Sequence, residues 1–204
     1  MPSNVTFFSV DVETSGLTPA HGRLLTVGVV PVRWESVEGG RRRFEMLDES
    51  FYIRIDRAAE LALDRWESDP RSSYGFWSRQ DASVAGEAYA DASLPRVTAT
   101  TAAIMLQDWA CSIEPYQEQR VFVANPVAFD KMWVDLLFDE AEVDSPFHWR
   151  SLCLRSMKFG LTPGSDWGDS RDGNEPSVPH HALHDARAQA FDLVDMLVQR
   201  GRTA

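Results

Sequence analysis

The stretch Val5-Thr-Phe-Phe-Ser-Val-Asp-Val-Glu-Thr-Ser-Gly-Leu17 decides how the rest of the chain is read. Residues 5–12 form a β-rich, mostly apolar run, the pattern of a strand buried in the middle of a sheet. The run ends in Asp11 and Glu13, separated by Val12. In an extended segment residues two apart point to the same side, so both carboxylates can approach one ion. A D-x-E pair alone is common in acidic proteins. At the end of a run of Phe and Val, however, two unpaired charges cost several kcal/mol unless a cation or partner compensates them.

Working outward, residues 14–23 read as a loop, punctuated by Gly16, Pro19 and Gly22, and a second strand follows from Leu24. Glu38-Gly39-Gly40-Arg41 has the composition of a hairpin turn leading to a third strand over residues 50–55. Three early strands predict a meander. Residues 58–92 turn helical and loop-like, with Asp69-Pro70 as a break, and 99–113 has helical spacing that offers Ile104, Leu106 and Trp109 to a core. A short buried strand at 121–124 passes through Asn125-Pro126 into a helix over 129–142, and a shorter helix is expected near 151–158. Residues 160–179 are rich in Gly, Pro, Asp and Ser and read as a long loop. The last helix, 182–200, carries Ala186, Ala190, Leu193, Val194 and Leu197 as its apolar stripe. This order predicts an α/β fold with a mixed β-sheet flanked by helices.

A chain of 204 residues with 44% hydrophobic content can build one core without disulfides, so a single domain over residues 1–204 is expected. Cys111 and Cys153 have no metal-ligand spacing and read as buried thiols in a reducing, cytoplasmic compartment. The N-terminus lacks a basic n-region, and no apolar run is long enough to span a membrane. A net charge of −11 argues superficially against a nucleic-acid partner. Yet basic residues are locally concentrated at Arg41-Arg42-Arg43, and a site built for divalent cations needs surplus carboxylates.

Two further acids have informative settings. Asp130 follows Asn125-Pro-Val-Ala-Phe129 at the start of a helix, where an acid also serves simply to complement the helix dipole. Asp185 closes His180-His181-Ala182-Leu183-His184-Asp185, and three histidines within five positions beside a carboxylate point to proton transfer or ligation.

Together these motifs resemble the DEDD exonuclease superfamily, of ribonuclease H-like fold: Asp11-x-Glu13, then Phe129-Asp130, then His180-x-x-x-x-Asp185. Asp11-Val-Glu-Thr-Ser-Gly-Leu17 is similar to the family's opening D-x-E-T-x-G-L, and residues 51–56 resemble its third strand. Phe76-Trp77-Ser-Arg-Gln80 resembles a W-W-x-x-Q element of the bacterial and phage branch that includes ribonuclease AS and phage exodeoxyribonuclease A. The likeness covers residues 4–198. Phe76 in place of a first Trp, Pro126 within the second motif, and the 160–179 loop depart from the pattern.

The resemblance implies a 3′→5′ exonuclease in which Asp11, Glu13, Asp130 and Asp185 hold two Mg²⁺ or Mn²⁺ ions roughly 4 Å apart, in the arrangement that clamps both oxygens of a phosphodiester displacement. Members divide into those with Tyr four residues before the last Asp and those with His five before it; His180 occupies the second position and implies the DEDDh subtype, with His180 accepting a proton from the attacking water. A helical wheel favours His181 instead. Pro179 argues that the helix has not begun at 180, so His180 is the expected base. Thr14, Leu17, Trp77 and Phe129 are the expected substrate contacts, although each of the last three is also a plausible core residue. The expected substrate is the 3′ end of single-stranded RNA, with single-stranded DNA next; a non-catalytic nucleic-acid-binding module and a metal-dependent phosphatase are weaker readings. A homodimer is implied by the resemblance alone.

Overall fold

The computed structural model describes residues 4–36, 42–58, 61, 72–161 and 178–203. In chain order the elements are β1 (Asn4–Thr14), β2 (Leu24–Ser36), β3 (Arg42–Met46), β4 (Phe51–Arg54), the short helices α1 (Tyr74–Trp77) and α2 (Ala82–Ala85), α3 (Ala99–Ile113), β5 (Arg120–Ala124), α4 (Val127–Ala141), β6 (Ser151–Cys153), α5 (Leu154–Leu161) and α6 (Ala182–Thr203). A π-helical turn, Gly86–Ala90, continues α2. The sheet runs β3-β2-β1-β5-β6, with β4 also paired to β2. The first four strands pair antiparallel, whereas β5 and β6 join in parallel with β1, which makes the sheet mixed.

Strand alternation explains why β1 can be central and still carry acids. Phe8, Val10 and Val12 point to one face and pack with Ala102, Ala103 and Leu106 of α3 and Trp133, Val134 and Leu137 of α4. The intervening Ser9, Asp11 and Glu13 lie on the opposite face, where the Ser9 hydroxyl donates to the Ala186 carbonyl of α6 at 2.9 Å. On that face Val30, Val32 and Val123 meet Leu154, Ala186, Ala190 and Leu193. The long apolar stretch of β1 is therefore two half-patterns, one for each layer of helices.

The approach of α6 depends on Gly28. This residue is the Cα partner of Asp11 across the β1–β2 ladder. A Cβ there would stand 2.3 Å from both the Ala182 carbonyl carbon and the Leu183 nitrogen. Only a residue without a side chain lets the head of α6 rest on β2 beside Asp11.

Several expectations change. The Glu38–Arg41 turn lies outside the described residues, but the strand after it is β3, not the one at residue 51; Phe51–Arg54 is an additional strand on β2. Edge strand β3 was hidden by its composition, Arg42-Arg43-Phe44-Glu45-Met46, because charged side chains on an edge mask the alternation and discourage pairing with other chains. The segment near 151 begins as β6, paired to β5, before α5 starts. Ile104 faces outward at 44% exposure, while Ala102, Ala103, Leu106 and Ala110 form the buried stripe of α3. Cys111 and Cys153 are half-buried free thiols, not core residues. The Asp69-Pro70 break and most of the 160–179 loop lie outside the described residues. No helix among the described residues is long and apolar enough to cross a membrane.

Gly28→Ala should lower unfolding stability by about 1–3 kcal/mol, the usual cost of forcing atoms into a closed contact, and should abolish activity by lifting the head of α6. Urea melts and a nuclease assay on the variant check this; wild-type values in both would show that α6 does not need the bare backbone.

Candidate active site

The acids come from three separate segments, and the sheet explains how they meet. β1 and β5 run parallel, so their carboxyl ends open on the same side, the usual position of a site in such sheets. β1 outruns β5: their pairing stops at Ser9↔Val123, while β1 continues to Thr14. On the edge left open, the Val12 N–H donates to Oδ1 of Asp130, in the first turn of α4, at 3.1 Å. Asp130 is thus held against β1 by backbone in the place a longer strand would occupy.

From the other face, the head of α6 supplies Asp185, whose N–H donates to the His181 carbonyl at 3.0 Å. One ligand atom each of Glu13, His180 and Asp185 can be grouped with all three within 4.8 Å of one another. Four residues beyond Asp185, and so on the same side of the helix, Gln189 Nε2 donates to Asp11 Oδ1 at 2.7 Å. Sequence reasoning passed over Gln189, although its i,i+4 relation to Asp185 was the available signal. Its amide secures one oxygen of Asp11 without introducing a positive charge that would compete with a cation.

Burial and crowding act together on these carboxyls. Glu13 and Asp130 are only 8% and 3% exposed. Asp11 is held well above the usual carboxylate range, first by burial and then by the charges of Asp130, Glu13 and Asp185, with the Gln189 amide opposing. Glu13 is raised likewise, by burial and then by Asp185 and Asp130. Asp130 is pushed up to about 7, chiefly by burial, even though the Val12 N–H favours its ionised form. A set of oxygen donors that destabilise one another's charges fits hard divalent cations, which favour the ionised forms and offset the repulsion.

The two candidate histidines separate clearly. His180 has a left-handed backbone, φ 61°, so it is not part of the helical turn and the wheel does not govern its direction. Its ring meets Phe76 edge-on at 4.9 Å, and one of its nitrogens belongs to the group with Glu13 and Asp185. His181 points elsewhere, stacked between Tyr52 and His184 at 4.6 and 4.3 Å, with Nε2 3.4 Å from Glu87 Oε1. Burial lowers its pKa first, helped by the nearby His184.

The expected substrate contacts fare unevenly. Leu17 is 72% exposed. Phe129 is half-buried, edge-on to Trp133 and packed against the core beside Asp130. The Thr14 hydroxyl donates to the Gly16 carbonyl at 2.8 Å and is buried, so it shapes the loop after β1. Trp77 cannot stack on a base: it is 1% exposed, and its indole N–H donates to the Thr14 carbonyl at 2.9 Å, bracing the end of β1. The aromatic ring that reaches the site is its neighbour Phe76, in contact with His180.

Residues 6–195 match the family model described as the 3'-5' exoribonuclease Rv2179c-like domain. The chain belongs to that family. The Rv2179c-like family and the relative Cap18 described below are 3′→5′ exonucleases, and this chain is a hydrolytic enzyme of that class. A relative in Escherichia coli, the 3'-5' DNA exonuclease Cap18, is 27% identical over 203 residues, covering 95% of this chain and 94% of its own. Among solved structures, the zinc-bound complex of E. coli exonuclease I with single-stranded DNA matches with a TM-score of 0.59 at 17% identity, covering 96% of this chain. This chain spans 41% of that protein. The nuclease domain of 3'hExo, a DEDDh family member bound to rAMP, matches with a TM-score of 0.57 at 11% identity, covering 97% of this chain and 92% of the domain. At these identities the structural matches establish the shared fold alone, a mixed sheet flanked by helices.

Two expectations arise from the electrostatics. A carboxyl whose folded pKa is raised keeps its proton where the unfolded chain has lost it, so its contribution to stability declines as pH rises through that window. For Asp130 the window runs from the ordinary carboxylate range to about 7. Metal-free protein should therefore melt at a lower temperature near pH 8 than near pH 5, and Mn²⁺ should raise the melting temperature more at the higher pH; differential scanning fluorimetry in EDTA and in Mn²⁺ decides it. Separately, Gln189→Ala should weaken Mn²⁺ binding by about 10-fold, as is usual when a partner orienting a metal ligand is lost; calorimetric titration measures this directly.

Proposed function

We propose that this protein is a 3′→5′ exonuclease of single-stranded DNA, releasing nucleoside 5′-monophosphates, with two Mg²⁺ or Mn²⁺ ions held by Asp11, Glu13, Asp130 and Asp185. The observation that carries the reading is the convergence of these four carboxylates, from β1, α4 and α6, with a ring nitrogen of His180 beside Glu13 and Asp185. Divalent cations bound there supply Lewis acidity and neutralise the developing charge of a phosphodiester displacement. The chain's own residues do the rest. His180 accepts the proton of the attacking water, and the adjacent Glu13 and Asp185 stabilise the imidazolium that results. Val12 and Gln189 fix the carboxylate oxygens of Asp130 and Asp11 before substrate arrives, so little reorganisation remains for the reaction step.

In this reading Leu17, exposed beyond the end of β1, and Phe129, beside Asp130, pack against the terminal bases, and Phe76, in contact with His180, takes the part expected of Trp77; these positions support the reading. Stacking accepts any base and requires an unpaired strand. The preference for DNA is supported by the likeness to Cap18, which extends over nearly the full length of both chains. RNA is the second reading, supported by the exoribonuclease description of the family. A homodimer remains part of the reading on the strength of the family resemblance, and light scattering measures it.

The test is digestion of 5′-labelled single-stranded DNA and RNA of matched sequence in Mg²⁺, Mn²⁺ or EDTA. Metal-dependent shortening from the 3′ end is expected, faster on DNA. Absence of shortening on both strands would sink the exonuclease reading, and faster RNA degradation would exchange the two substrates. His180→Ala should cost about 10²–10⁴-fold in kcat, the usual contribution of a general base, and should cost more than His181→Ala; the reverse order would move the base to His181.

A further inference from the structure

A second knot of titratable side chains lies beside the carboxylate cluster and takes no part in the chemistry above. Its centre is Glu87, in the π-helical turn Gly86–Ala90. Such turns are rare and are frequent at functional sites. The Glu87 carboxylate receives the Arg54 guanidinium from β4 and lies 3.4 Å from His181 Nε2, and burial followed by the Glu87 charge raises the pKa of the Tyr52 hydroxyl on the same strand. Arg54 also lies over the Tyr52 ring, 5.1 Å from its centroid. Arg54, Glu87 and His181 are all largely withdrawn from water, with side-chain exposures of 17%, 23% and 14%.

The geometry relates this knot to His180. Tyr52 is the Cα partner of Gly28, and Gly28 is the partner of Asp11, so Tyr52, Gly28 and Asp11 form one row across the sheet beneath the head of α6. His181 is fixed on both faces of its ring, by Tyr52 and by His184, and at its edge by Glu87. The residue before it, His180, has a left-handed backbone, a conformation a non-glycine residue keeps only when its surroundings hold it. With the following residue clamped, the left-handed turn at 180 directs that ring toward Glu13 and Asp185.

We infer that Glu87 is a positioning residue for His180, acting through His181 and Tyr52 to hold the segment ahead of α6 in the one conformation that brings the His180 ring to the carboxylates. This rests on His180 being the proton acceptor. An ion pair that merely stabilised the fold would affect activity whether or not His180 were present, and a double-mutant cycle separates the two cases.

The experiment compares wild type, Glu87→Gln, His180→Ala and the double variant on single-stranded DNA in Mn²⁺, with kcat and KM resolved. Glu87→Gln should lower kcat about 10- to 100-fold, the scale of a misplaced reacting group, at nearly constant KM, and should cost nothing further in the His180→Ala background. In NMR spectra the His180 ring signals should shift or broaden in Glu87→Gln. Equal losses in both backgrounds, or unchanged kcat and ring signals, overturn the inference. Tyr52→Phe keeps the ring stack and removes only the hydroxyl; it carries the same test should Glu87→Gln fail to fold, with a smaller loss again confined to the background containing His180. Full activity in His180→Ala would end the proton-acceptor reading, and the positioning role with it, whereas an impaired His180→Ala beside a fully active Glu87→Gln would end the positioning role alone.

Discussion

Like charges crowded into a buried space are the constraint on which the rest of this structure depends. Asp11, Glu13 and Asp130 are each raised by burial and by neighbouring carboxylates, so the fold must hold together groups that repel one another until a cation arrives. It does so largely with backbone. The Val12 N–H grips Asp130, Gly28 admits the head of α6, and the Ser9 hydroxyl fastens that helix to β1 through the Ala186 carbonyl. Flexible side-chain ion pairs would not serve, because a lysine or arginine inside the cluster would occupy the place a metal needs.

Division of labour between the two faces of the sheet follows from this. The face carrying Phe8, Val10 and Val12 is packed with aromatic and aliphatic side chains from α3 and α4 and supplies stability. The face carrying Ser9, Asp11 and Glu13 is covered by α6, whose contribution changes along its length. Its head supplies Asp185 and Gln189, while Ala190, Leu193 and Met196 continue as ordinary core. Stability lost at the acidic end is offset along the same elements a few residues away.

Much of this was legible beforehand where local pattern and function coincide. β1 announced itself by an apolar run ending in D-x-E, and α3 by helical spacing that matches its observed limits, Ala99–Ile113. What escaped notice has physical reasons. β3 is an edge strand whose charges obscure its alternation, and β6 is too short to show any. Trp77 looked like a stacking platform because its type and neighbourhood matched one, but only tertiary packing reveals that its indole N–H is committed to the Thr14 carbonyl while Phe76 turns toward His180. Glu87 lies far in sequence from every residue it touches. The choice between His180 and His181 turned on whether the helix had begun, which the left-handed backbone at 180 answers and no propensity scale would.

The proposed catalytic set draws on β1, α4 and α6, and α6 is the last of these to be synthesised. Chains leave the ribosome from the N-terminus at about 5–20 residues per second. While β1 and α4 are already outside with Asp11, Glu13 and Asp130, Asp185 and His180 are still to come, so the emerging polypeptide lacks the fourth carboxylate and the histidine of the proposed site. Until the head of α6 emerges, the growing chain therefore carries an acidic cluster that has not yet been completed.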